Sequence, residues 1–148
     1  MSHDIQTKQI DALNDIARVL IDSRKGYEKA YEMADDNYAL KPQFLHRAQE
    51  RSRLVDRFQA QVRTLGGEPQ TDGSMLGDAH RGWMQFSSLF QKDEKAALEA
   101  IDDGEDYLAE QAGQRLQRDD IHGETRALLT QAYQSARKGE CFADALTD

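Results

Sequence analysis

An all-α fold, a bundle of four long helices, is predicted by three features of this sequence. Apolar residues recur at steps of three and four through every long segment, the spacing of a helix face. No segment alternates apolar and polar residues as a half-buried strand does. Only two prolines, Pro42 and Pro69, interrupt 148 residues, and chained helices need few breaks. That length suits one core, so residues 1–148 read as a single helical-bundle domain, with about 7–138 structured and 139–148 a tail.

The first helix is expected from about Thr7 to Asp35. Its seam is Ile10, Leu13, Ala17, Leu20, Tyr27, Tyr31 and Ala34, and Arg24 occupies the one polar step. Pro42 suits the first turn of the second helix, where a missing N–H loses no partner. The seam Phe44, Ala48, Arg51, Val55, Phe58, Val62 and Leu65 carries that helix to Leu65, where Gly66-Gly67 and then Pro69 end it. A shorter amphipathic helix is expected from Ser74 to about Phe90, with Met75, Leu76, Ala79, Trp83, Phe86 and Phe90 on one side.

The third long helix should span about Asp93 to Gln117, turning Leu98, Ile101, Leu108, Ala112 and Leu116 inward. Asp119-Asp120 supplies caps for the fourth, Ile121 to Lys138, whose inner face is Ile121, Thr125, Leu128, Leu129, Ala132 and Ala136. Gly139 reads as its stop, which leaves Phe142 and Leu146 in the tail. The short helix allows two topologies. It can cap an up-down-up-down bundle, or it can form the crossover that makes the second and third long helices parallel, as in ferritin-like folds. The crossover is preferred, because Trp83, Phe86 and Phe90 need a bundle wall to cover.

Charge and composition exclude several function classes. Acidic residues outnumber basic ones 27 to 19, a formal net charge of −8. Phosphate backbones reward clustered cations, and the one local run, Arg47, Arg51, Arg53 and Arg57, is broken by Glu50 and Asp56. Nucleic acid is therefore not an expected partner. No apolar run approaches the roughly 18 residues of a membrane span, and Met1 to Gln9 holds no signal-peptide core. The lone cysteine, Cys141, fits a reducing cytoplasm. The partners left are a second copy of the chain or another protein.

The order Leu65-Gly66-Gly67-Glu68-Pro69, Gly73-Ser74, His80-Arg81-Gly82-Trp83 and Gly104-Glu105-Asp106 resembles a bacterial family of ferritin-like four-helix bundles of unknown function, domain of unknown function 2383. Asp22 and Gly26-Tyr27 resemble that family's first-helix pattern. The similarity runs from about Leu13 to Arg137. It implies a ferritin-like bundle and carries no reaction with it.

The residues themselves argue against a di-iron centre. Such centres place a Glu on each of two helices and a Glu-x-x-His on each of the others. Here no Glu has a His three residues on: Glu28 is followed by Tyr31, Glu50 by Arg53, Glu105 by Leu108 and Glu124 by Ala127. Asp119 precedes His122 at that spacing but reads as a cap. His46 and Glu50 read as a solvated pair on an outer face, His80 as packing near Trp83, and His3 lies near the terminus. Gly66-Gly67 follows a helix rather than a strand, so it is no phosphate loop.

A non-catalytic bundle with an interaction or structural role, and no cofactor, is the expected function. The alternative is a degenerate carboxylate site of Glu28, Glu32 and Glu105 holding iron or another divalent metal. One further feature needs explaining. Arg24, Arg51 and Glu105 all fall at mid-helix seam positions, which predicts a buried polar layer across the bundle. The competing reading has the arginines reach past the core edge to water.

Overall fold

A computed structural model describes residues 3–36, 38–73, 78–90 and 92–147, and the elements among them are helical. In chain order they are α1 (His3–Met33), α2 (Lys41–Thr64), α3 (Asp78–Leu89), α4 (Glu94–Leu116) and α5 (Gly123–Thr147). Met75 and Leu76, expected on the short helix, lie outside the described residues, as do the side chains of Ala79 and His80. No described helix is long and apolar enough to cross a membrane.

Local chemistry sets the helix ends. Pro42 sits in the first turn of α2. At its other end Gly66 takes φ +86°, and the N–H groups of Gly66 and Gly67 donate to the carbonyls of Arg63 and Val62. That is a Schellman termination, which a residue with a Cβ would strain. Asp93 caps α4 by accepting from the Ala96 N–H at 3.1 Å.

The last helix departs from expectation. It begins at Gly123, two residues after Ile121, and runs through Gly139 to Thr147 instead of stopping at Lys138. Residues 139–147 are therefore no loose tail: Ala143 is fully buried, and Phe142 packs edge-on against Phe44. Gly139 is buried inside the helix, for a reason that belongs to the polar layer described below.

Cross-helix hydrogen bonds fix the topology. Arg115 reaches Asp15 while Glu105 meets Tyr27, so α4 runs antiparallel to α1. Arg47 reaches Lys138, Arg57 reaches Gln131 and Gln61 reaches Thr125, so α5 runs antiparallel to α2. The long helices α1 and α2 form one hairpin and α4 and α5 another, which makes α2 and α4 parallel. This is the ferritin-like crossover, and α3 is its middle.

The crossover helix inserts a wedge. Trp83 and Phe86 are fully buried among Tyr27, Phe44, Leu98 and Ile101 of the same chain. Two glycines admit the indole. A Cβ on Gly104 would lie 2.8 Å from Trp83 Cε2, and one on Gly26 would lie 2.9 Å from both the Trp83 carbonyl oxygen and Phe86 Cε1.

Gly104→Val should therefore overpack α4 against Trp83 and destabilise by about 1–3 kcal/mol. Gly113 on the same helix has only Tyr133 nearby, at 3.5 Å. Gly113→Ala should instead stabilise by up to ~1 kcal/mol through helix propensity. Urea denaturation of both variants reads the contrast, and equal effects would contradict the wedge.

Candidate functional site

The core comes in two apolar clusters. One gathers Leu13, Leu20, Val55, Phe58, Leu108 and Leu129; the other gathers Tyr27, Phe44, Trp83, Phe86, Leu98 and Ile101. Between them lies a dry ion pair. Arg51 and Glu105 are both 0% exposed. Arg51 Nη1 donates to Glu105 Oε1 at 2.8 Å and Nη2 to Oε2 at 2.6 Å, the fork geometry that makes arginine–carboxylate pairs strong.

The remaining polar atoms of the pair are answered too. Arg51 Nε donates to Ser135 Oγ at 3.1 Å, and Nη2 also donates to the Ser135 carbonyl at 3.3 Å. The Tyr27 hydroxyl donates to Glu105 Oε2 at 3.1 Å. Ser135 Oγ donates in turn to Glu50, whose carboxylate lies 4.0 Å from Arg51 Nε. Each long helix supplies at least one member. Burial disfavours the Arg51 cation, but the charge and hydrogen bonds of Glu105 outweigh it and raise the guanidinium pKa. Burial also pushes the Tyr27 phenol well above its ordinary value, and the Glu105 charge adds to the shift. Tyr27 is thus held as a neutral donor.

Gly139 makes room for the carboxylate. A Cβ there would overlap Glu105 Oε2 and crowd its Cδ and Cγ. The glycine is a notch in α5, not a terminator.

Of the expected layer, the structure brings Arg51 and Glu105 together and leaves Arg24 apart. The Arg24 side chain is 25% exposed and pairs along its own helix with Glu28 at 3.4 Å. Tyr27, one turn further along α1, takes the place expected for Arg24; its hydroxyl is dry and bonded to Glu105. Ser135 and Gly139 were also missed, although both continue the seam of Leu128 and Ala132 at steps of three and four. Glu50, expected on an outer face with His46, turns its carboxylate to Ser135.

A metal does not fit these residues. Glu28 is 51% exposed in its side chain and Glu32 is exposed, so neither joins Glu105 in the core. Both oxygens of Glu105 are already engaged by a permanent cation, where an iron ligand needs them free. Among the described residues no three His, Cys, Asp or Glu side chains converge closely enough to hold an ion.

Residues 8–118 match the family described as a domain of unknown function (DUF2383). No curated protein matches the sequence. Among solved structures, a ferritin-like diiron-carboxylate protein from Bacillus anthracis str. Ames superposes with TM-score 0.77 at 19% identity, over 100% of both chains. A mutant of Mycobacterium smegmatis Dps1 gives TM-score 0.81 at 15% identity, again over 100% of both chains. A DPS protein from Vibrio cholerae O1 gives 0.74 at 15% identity, covering 98% of this chain and 92% of its own. At such identities the likeness is one of fold, and the family signature is what the residues add. Gly26-Tyr27, Trp83 and Gly104-Glu105 meet at the wedge and the ion pair, and Asp22 lies buried against Gly73.

Glu105→Leu should strand the Arg51 charge in the core and cost about 3–5 kcal/mol, the range for breaking one side of a buried pair. The double variant Arg51→Met/Glu105→Leu should recover most of that loss, because no charge is left unpaired. Gly139→Ala should destabilise although Ala gains up to ~1 kcal/mol over Gly in a helix interior. Denaturant titration measures all three. A loss below about 1 kcal/mol for Glu105→Leu, the scale of surface pairs, would mean that water reaches the layer.

Proposed function

The chain belongs to the family described as a domain of unknown function (DUF2383), and from that premise we propose that it is a non-catalytic, cytoplasmic, single-domain ferritin-like bundle with an interaction or structural role. The observation that carries this reading is the Arg51–Glu105 fork at the middle of the bundle. A ferritin-like di-iron site draws its carboxylates inward from the four helices. Here the one fully buried glutamate among the described residues faces an arginine, and its charge is spent on holding the helices together.

The rival reading is a carboxylate-ligated metal protein, the description that the Bacillus anthracis and Vibrio cholerae structures bear. Glu28 and Glu32 give it no support, since both point to water. Arg51 opposes it further, because a divalent ion at Glu105 would have to displace a guanidinium already bonded at 2.6 and 2.8 Å.

Aerobic or anaerobic loading with ferrous iron, followed by desalting and elemental analysis, should leave no stoichiometric iron on the protein and give no ferroxidase turnover. Stoichiometric iron that disappears in Glu28→Ala or Glu105→Ala would overturn this reading and install the metal protein in its place.

A further inference from the structure

The arginine run of α2 divides three ways. Arg51 is consumed by the ion pair. Arg47 lies over the Phe142 ring at 4.5 Å and donates to the Lys138 carbonyl at 3.2 Å. Arg53 and Arg57 line a groove on the outer side of the layer, between α2 and α5. There Glu50, Arg53 and Arg57, spaced at three and seven on α2, face Gln131, Ser135 and Lys138, spaced at four and seven on antiparallel α5.

The charges in this groove are unspent. Arg18, Arg24, Arg115, Arg118 and Arg137 each pair with a carboxylate, as a chain of net charge −8 allows. Among the described residues, neither the Arg53 nor the Lys138 side chain has an ion-pair partner. Arg57 has only the Gln131 amide oxygen, at 3.1 Å. Glu50 lines the same groove, bonded to the Ser135 hydroxyl and 4.0 Å from Arg51 Nε, so its charge offsets one of the three cations and leaves the groove net positive. Three cationic residues and one carboxylate thus line a groove that also includes the buried Ser135.

We propose that this α2–α5 groove is a binding site for a single phosphate group, held by Arg53, Arg57 and Lys138. Two guanidinium forks and a lysine point charge are the donor set that a tetrahedral oxyanion takes. The groove encloses about 190 Å³, below the roughly 300–1,000 Å³ of sites that engulf drug-sized ligands. It has room for a phosphate group, the part of a ligand that the three cations would hold. Gln131 and Gln134 line the same groove and offer amide donors to the anion's outer oxygens.

The test is calorimetric titration of the full chain with inorganic phosphate, with a phosphoserine peptide and a short DNA duplex as parallel arms. Saturable phosphate binding is expected, weakened about 10-fold or more in Arg57→Gln/Lys138→Gln by the loss of charged hydrogen bonds. Both side chains are exposed, so the fold should survive, and circular dichroism checks it. Lys25→Gln, an exposed change on α1, should leave the affinity untouched. Equal affinity for phosphate and peptide assigns the site to the free anion; tighter peptide binding assigns it to a phosphorylated protein. The proposal fails if phosphate does not saturate, or if the double variant binds as well as the parent. It fails equally if duplex DNA binds with affinity that grows with its length, since the groove would then be part of a backbone-tracking surface.

Discussion

A guanidinium and a carboxylate sealed between four helices are tolerable only if each of their nitrogen and oxygen atoms has a hydrogen-bond partner. Arg51 and Glu105 meet that condition through residues contributed by all four long helices. The demand is geometric as well as energetic. Sliding α2 or α4 by a turn, about 5.4 Å, would orphan a charge, sliding α1 would remove the Tyr27 hydroxyl from Glu105, and sliding α5 would replace the Gly139 notch by a residue whose Cβ meets the carboxylate. Apolar side chains tolerate approximate neighbours, whereas this layer has one arrangement that satisfies it. The two hydrophobic clusters on either side supply most of the burial, and the pair decides how they are aligned.

The notch at Gly139 and the wedge at Trp83 solve the same problem from opposite sides. Where a charged group must pass close to a helix, α5 gives up a side chain. Where a bulky ring must enter between α1 and α4, both of those helices give up one, at Gly26 and Gly104. Gly104 and Glu105 are adjacent, so one turn of α4 accommodates the wedge and supplies the anion. The Trp83 indole N–H nevertheless finds no hydrogen-bond partner among the described residues. A buried donor left without a partner costs roughly 1–3 kcal/mol, which the packing of the ring has to offset.

The fold was legible because periodicity reports helices directly. The inward faces read from the sequence are largely those found buried, from Leu13 on α1 to Ala136 on α5. Helix ends were less legible. Gly139 was misread because a glycine near an apparent end resembles a stop, and only the position of Glu105 on another helix reveals it as a gap. In the site, Arg51 and Glu105 could be named because a charge at a mid-helix seam position is visible in one dimension. Arg24 met the same criterion and failed it in space: a long side chain at a seam edge can swing to Glu28, while Tyr27 reaches inward. Tyr27 reads as a seam residue but not as part of the layer, and Ser135 is not singled out at all, because an aromatic and a small hydroxyl residue look like ordinary core until a charge is placed beside them.

The layer also carries a schedule. Arg51 and Glu105 are 54 residues apart in sequence, and Arg51 and Ser135 are 84 apart. At synthesis rates of about 5–20 residues per second, the guanidinium waits roughly 4–17 s between its own emergence and that of the serine that completes its hydrogen bonds. An α1–α2 hairpin formed before Glu105 emerges would carry an unpaired cation on its inner face, and burying that charge alone would be costly. The buried pair therefore cannot be closed within one hairpin: its anion comes with α4 and its last hydrogen bonds with α5.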